Sequence, residues 1–291
     1  MNPIRRVVIL GHSGFIGSHL EKRLAAGPAR WEVLGRSLPG MDLTRDESIA
    51  QLEEFFDDAT AVVLCAAVKR QFGDTLDVYL QNMAIVENVV RAFERKPVAR
   101  LLFMSSAAVY GEETHNTAIT EATPVHPTSH YGIAKFAGEC LLRKAFASVP
   151  ASRLLCLRPP LVYGPGDRGK TYGPAGFCAA AREGTPITLW GDGRELREFI
   201  YVDDLCAVLE SLLGTADEGW VNVVSGKSHD FASILDVLRA QGASLQVATR
   251  ERSKQKVDNA FVPDRLRQLL PGFAFAPLEE GIRRTWKETH A

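Results

Sequence analysis

Five short, continuously apolar runs alternate with helix-patterned segments over the first 160 residues, and this alternation restricts the fold more than any other feature of the chain. The runs are RRVVILG (5–11), WEVLG (31–35), AVVLCAA (61–67), ARLLFMSS (99–106) and RLLCLRP (153–159). Between them lie SHLEKRLAA (18–26), DESIAQLEEFF (46–56) with Asp46 near its start, a long helical pattern over 74–96 that stops at Pro97, and another over 131–146. An apolar run without polar alternation reads as a strand covered on both faces. Strands that alternate with helices build a parallel sheet with helices on either side. The expected fold class is α/β, a doubly wound parallel sheet.

Past residue 160 the texture changes. RPPLVYGPGDRGKTYGP (158–174) is dense in Gly and Pro and reads as loop. FIYVDDLCAVLESLL (199–213) returns to strand and helix, and WVNVVSG (220–226) to strand. The expected organisation is a first domain over 1–165, with a return near 197–222. A smaller C-terminal α/β lobe over 166–196 and 223–291 holds the substrate between itself and the first domain.

Composition excludes several classes. Lys and Arg number 34 against 35 Asp and Glu, a net charge of −1, so no basic surface for nucleic acid is expected. No apolar stretch reaches the length of a membrane span, and the N-terminus lacks the pattern of a secretory leader. The five cysteines, Cys65, Cys140, Cys156, Cys178 and Cys206, are odd in number and widely spaced. They read as reduced packing residues of a cytoplasmic protein. His19, His115, His126, His130, His229 and His290 show no metal-ligand spacing, and no metal is expected.

LGHSGFIGSHL (10–20) sits where the first strand gives way to the first helix. A helix start offers free N–H groups and the positive end of the dipole to an anion. Gly11 permits the turn, Gly14 lets backbone approach a phosphate and Gly17 lets the helix pack on the strand. The loop, with Ser13, Phe15 and Ile16 between and beside its glycines, is thus expected to bind a dinucleotide, as in a Rossmann fold. His12 within it reads as exposed backbone support. At the end of the second strand, where an acid would hold a free ribose 2′-hydroxyl, the chain has Gly35-Arg36-Ser37. Arg36 suits a 2′-phosphate, which leans the NAD(P) reading toward NADP.

SHYGIAK (129–135) places Tyr131 and Lys135 on one helix face. A neighbouring ammonium lowers a phenol's pKa, so Tyr131 is expected to exchange a proton with a sugar hydroxyl near neutral pH. Lys135 can also donate to the nicotinamide ribose. Ser105 and Ser106 lie just beyond the carboxyl end of the fourth strand, where ligands of open parallel sheets bind. A serine there can hydrogen-bond the oxygen on the carbon that exchanges hydride.

The glycines in G-x-x-G-x-x-G, the Ser-x-x-Val-Tyr-Gly at 106–111 and the Y-x-x-x-K at 131–135 resemble the extended short-chain dehydrogenase/reductases. More narrowly, the chain resembles the NAD(P)-dependent epimerase/dehydratase group that modifies nucleotide sugars. MDL (41–43), LCAAVK (64–69), QNMAIVENV (81–89), LRPPLVYGPG (157–166), LREFIYVDDL (196–205) and PLEEGIRRTW (277–286) carry the likeness over nearly the whole chain. The resemblance implies that Asp42 and Leu43 border the adenine and that Ala66, Ala67 and Lys69 continue the cofactor cleft. It implies Ser106 as the catalytic serine supported by Ser105, Tyr131 as acid/base with Lys135, and Arg197 as a clamp on the substrate's diphosphate. It also implies a homodimer through the helices at 74–96 and 131–146. Asn82 reads as a packing residue bonded within its helix, and Arg158 as an ion-pair partner.

Two departures stand out. Ala107-Ala108 follow Ser106, where sugar-nucleotide 4,6-dehydratases carry an Asp-Glu pair, so dehydration is not expected. Leu161 replaces the Asn that many epimerases place before VYGP. A 4-epimerase and a 4-ketoreductase both remain consistent with these residues. A non-catalytic NAD(P)-binding sensor or scaffold is the alternative class, disfavoured by the completeness of Ser106, Tyr131 and Lys135.

Overall fold

A computed structural model describes residues 3–28, 30–68, 73–169, 173–252 and 255–288. Lys69 lies outside these, as do residues 170–172 of the Gly/Pro-rich stretch. The chain forms two compact units, one of residues 1–112, 124–159 and 206–221, the other of 113–123, 160–205 and 222–291.

The first unit is built on a six-stranded sheet. Its strands are β1 (Arg6–Leu10), β2 (Glu32–Arg36), β3 (Thr60–Leu64), β4 (Arg100–Met104), β6 (Arg153–Arg158) and β10 (Gly219–Asn222), in the order β10-β6-β4-β3-β1-β2. β1 pairs in parallel with both β2 and β3, β3 with β4, and β4 with β6. The order reverses direction at β1, so the switch point lies between β1 and β3. This is the Rossmann-like α/β architecture that the apolar runs predict.

Burial on both faces explains why the strand interiors are apolar, with polar residues such as Thr60, Arg100 and Arg158 at strand ends. Val8, Leu10, Val62, Leu64, Leu101, Phe103, Leu154 and Cys156 share one core with α2 (Glu47–Glu53), α3 (Leu76–Arg95) and α4 (His130–Phe146). The intervening Val7, Ile9, Ala61, Val63, Leu102 and Leu155 are also fully buried, and they point to the opposite face. Each such side chain contributes roughly 1.5–3 kcal/mol on leaving water. Phe93 of α3 stacks on Phe146 of α4, ring centroids 3.9 Å apart. Elsewhere in the unit, α1 (Phe15–Ala26) meets α6 (Val202–Leu213) through Arg23 and Glu210 at 2.6 Å, and Cys206 Sγ donates to the Ile16 carbonyl.

The second unit has a three-stranded sheet, β11 (Ser228–Asp230), β9 (Leu196–Tyr201) and β7 (Leu161–Tyr163), with β9 central. Two short pairs accompany it: β12 (Val247–Arg250) with β8 (Ile187–Trp190), and β13 (Asn259–Phe261) with β5 (Asn116–Ile119). Its core joins Tyr163, Phe177, Phe199, Tyr201, Phe231, Leu278 and Ile282 with α5 (Gly173–Glu183), α7 (Phe231–Ala240) and α9 (Leu278–Glu288), and α8 (Asp264–Leu269) completes the elements. Residues 113–123, 160–165 and 197–205 cluster with this unit, unlike in the division read from sequence. β5 pairs with β13, and β9 lies between β7 and β11.

Candidate active site

The glycine loop follows β1 at the switch point. Gly11 has φ +89°, and its N–H donates to the Arg36 carbonyl at 2.7 Å. A Cβ there would stand 2.7 Å from Ala66 N, which itself donates to the Leu10 carbonyl. At Gly17 a Cβ would come within 2.3 Å of the Gly11 carbonyl oxygen, so only glycine lets α1 sit this close to the loop. Gly14, by contrast, has only that oxygen within 4 Å of its missing Cβ, at 3.2 Å, and both Ser13 and Gly14 are exposed. Gly14 caps α1 with no side-chain bond, and no acid stands in the first turn formed with Phe15 and Ile16. Open backbone at an uncapped helix start fits a dinucleotide diphosphate.

Around this loop the other expected cofactor residues fall in varied settings. The Arg36 guanidinium donates to the Gly35 carbonyl at 2.8 Å and stacks 4.1 Å over the Phe55 ring. Asp42 accepts from the Thr44 N–H (3.0 Å) and hydroxyl (2.7 Å), bonds that hold its carboxyl below the usual range. Leu43 is buried in the core, and its carbonyl accepts from Asn88. Ala66 and Ala67 are half-buried beyond β3. Asn82 fixes this segment: its side chain bonds both the N–H and carbonyl of Val68, and the Val78 carbonyl of its own helix.

The catalytic candidates meet at the carboxyl end of β4. Ser106 caps a short 3₁₀ turn (Ala107–Tyr110), its Oγ accepting from the Ala108 N–H at 3.1 Å. Ser129 caps α4 in the same way through Gly132 N. A Cβ on Gly132 would lie 2.7 Å from the Ala108 carbonyl oxygen, so the glycine lets the helix start close onto the serine's turn. This brings Tyr131 beside Ser106, whose hydroxyl favours the ionised phenol. One turn along, Lys135 is buried, donates to the Met104 carbonyl at 2.6 Å and sits 5.6 Å from the Tyr131 ring centroid.

Their acidities differ from the sequence expectation. Burial pushes Tyr131 up to about 12 and the Glu112 charge pushes the same way, against a smaller lowering by the Ser106 hydrogen bond. Burial also pulls Lys135 down to about 8, opposed by Cys65 and Glu139. Burial and Glu112, not Lys135, therefore set the phenol's acidity in this arrangement. At neutral pH the phenol holds its proton.

A buried network behind these residues was not read from the sequence. The Glu139 carboxylate, two turns along α4 from Tyr131, accepts from Ser105 Oγ at 2.5 Å, Arg158 Nε and Nη2 at 2.9 and 2.6 Å, and Trp220 Nε1 at 2.9 Å. Arg158 also donates to the Tyr110 hydroxyl at 2.9 Å. One carboxylate thus ties α4, the strand end bearing Ser105-Ser106, β6 and Trp220 of β10. The acidic i+4 neighbour of Lys135 was the available sequence signal.

Arg197 belongs to the second unit. It donates to the Leu196 and Val257 carbonyls and to Glu195 Oε1 at 2.8 Å, with 15% of its side chain exposed. A diphosphate there has to compete with Glu195 or take the remaining N–H groups. Its neighbour Glu198 is buried, and Oε1 accepts from the Ser225 and Gly226 N–H groups. Glu198 Oε2 has no hydrogen-bond partner among the described residues, and burial pushes this carboxyl up to about 7.

Known proteins resemble this chain in sequence and fold. A GDP-L-fucose synthase of Sinorhizobium fredii is 29% identical over 241 residues, 76% of this chain and 75% of that one. A dTDP-4-dehydro-6-deoxy-D-allose reductase of Streptomyces bikiniensis is 29% identical over 268 residues, covering 81% and 79%. The structure of Thermus thermophilus UDP-glucose 4-epimerase in complex with NAD superposes with a TM-score of 0.84 at 27% identity, over 98% of this chain and 99% of that one. The model of the NAD dependent epimerase/dehydratase family matches residues 7–224. With its parallel sheet, its open glycine loop and its Ser-Tyr-Lys cluster, the chain belongs to the NAD-dependent epimerase/dehydratase family, as an NAD(P)-dependent nucleotide-sugar enzyme of the extended short-chain dehydrogenase/reductase type.

Proposed function

We propose that the protein interconverts a hydroxyl and a keto group on the hexose of a nucleotide sugar, as a 4-ketoreductase or 4-epimerase, with Tyr131 as acid/base. The observation that carries this reading is the placement of Ser106 at the carboxyl end of β4 beside the start of α4, which bears Tyr131 and, one helical turn on, the buried Lys135. The bound nicotinamide supplies the hydride chemistry. Ser106 orients the reacting oxygen. Tyr131, which holds its proton at neutral pH, donates it to a developing alkoxide, and Lys135, near 8, is placed to restore it. A protonated phenol favours the reductive direction, and the Arg36 side chain leans toward NADPH as reductant. Arg197 is proposed to meet the substrate's diphosphate. Ala107 and Ala108 carry no acid or base, which disfavours dehydration.

A dTDP-linked 4-dehydro-6-deoxy sugar with NADPH, and UDP-glucose with NAD, are the test substrates, taken from what the relatives' names describe. Turnover of either by the wild type, lost in Tyr131→Phe with cofactor binding intact, supports the reading. Unchanged turnover in that variant rejects Tyr131 as acid/base.

We further propose a homodimer through α3 and α4. Leu76 and Leu80 of α3 and Ile133 and Leu141 of α4 are 40–58% exposed on two helices that pack side by side.

A further inference from the structure

The end of β2 carries an arrangement that the proposed chemistry does not use. Its penultimate residue, Gly35, has no side chain, and two side chains from other segments fill the space above it. A Cβ on Gly35 would stand 2.4 Å from the His12 ring and 2.6 Å from Glu21 Oε1. His12 comes from the glycine loop and Glu21 from the second turn of α1. Their facing atoms, His12 Nδ1 and Glu21 Oε2, are 3.1 Å apart, with 31% and 40% of the side chains exposed. Arg36 follows directly.

The end of the second strand is where a dinucleotide fold reads the adenosine 2′ position. An acid there accepts from a hydroxyl, and an arginine meets a phosphate. This chain brings both kinds of group to one place, with the acid supplied by a helix instead of the strand. We infer that Glu21, held over Gly35 by His12, sets the preference between NAD(H) and NADP(H) by opposing Arg36. Its carboxylate accepts from a 2′-hydroxyl and repels a 2′-phosphate, while His12 offsets part of that charge. The inference rests on the dinucleotide reading of the glycine loop and goes beyond the Arg36 lean, since it makes the preference a balance that one helix residue tips.

The test is equilibrium binding of NADH and of NADPH to the cofactor-free protein, followed by nicotinamide fluorescence. Glu21→Gln should raise the NADPH-to-NADH affinity ratio on the order of tenfold, and Glu21→Ala should move it the same way. His12→Gln and Arg36→Ala should lower it. The Glu21→Gln effect should shrink as salt is added, because the groups are partly exposed. A ratio that stays unchanged in both Glu21 variants while Arg36→Ala still shifts it overturns the inference and leaves dinucleotide binding standing. If the wild type binds neither cofactor, the dinucleotide reading falls and the inference with it.

Discussion

Tyr131 and Lys135 titrate away from their usual ranges in opposite directions with the same leading cause: both have left water, and each is driven toward its neutral form. Removing the phenolic oxygen should therefore remove the proton donor and little else. Tyr131→Phe is expected to lower kcat by about 10²–10⁴-fold, with the NADPH dissociation constant held within about twofold in a fluorescence titration. Glu139 should behave differently. Glu139→Ala strands the buried Arg158 guanidinium, so a loss of about 3–5 kcal/mol is expected in urea denaturation, ahead of any catalytic effect. The two residues also differ in legibility. Tyr131 and Lys135 announce themselves by a spacing of one helical turn. Glu139 finds its donors 34, 19 and 81 residues away, separations that no local pattern encodes. Tyr131's acidity was misread for a related reason, since a sequence shows a neighbouring charge but not the burial that outweighs it.

At the level of elements, α4 depends on a close approach. Gly132→Ala would set a methyl against the Ala108 carbonyl oxygen and push the helix start from the turn that carries Ser106. Overpacking of this kind costs about 1–3 kcal/mol. The expected result is a lower melting temperature and reduced turnover, with NADPH binding at the distant glycine loop preserved. Leu80→Glu with Leu141→Glu should convert a dimer to monomer in sedimentation equilibrium, with secondary structure retained by circular dichroism. The elements of the first unit were legible because they are long or wholly buried: β3 and β4 are buried throughout and apolar after their first residues, Thr60 and Arg100, and α3 runs for 20 residues. In the second unit β9 was legible, but β7 lay in a stretch read as loop and two further strands carried no pattern. β11 has three half-buried residues, and β12 is exposed along its length, so neither carries a hydrophobic period.

For the molecule as a whole, Glu198 gives stability a pH dependence with a defined sign. Its folded value near 7 lies above the ordinary 4.5, so between these values the folded chain keeps a proton that the unfolded chain has released. That contribution is complete below the lower value and is lost as pH rises through the upper one. Denaturation of wild type and Glu198→Gln at about pH 5 and about pH 8 should show the variant gaining about 2–3 kcal/mol relative to wild type over that interval. A gap that does not change with pH would remove Glu198 as the cause. The doubly wound sheet was readable at this scale, and so was a change of texture near residue 160. The placement of 113–123 was not, because β5 finds its partner only at β13.

β10 lies beside β6 at the sheet's edge, yet residues 160–205 are made between them. A nascent chain that has just emerged through β6 still lacks Trp220 for Glu139 and the Thr215 carbonyl for Arg100. Its newest strand presents open amides to water or to a chaperone. The nucleotide-binding unit thus closes only after residues 160–205 of its companion have been translated, and a stop codon near residue 165 yields a fragment with a bare sheet edge, prone to aggregation.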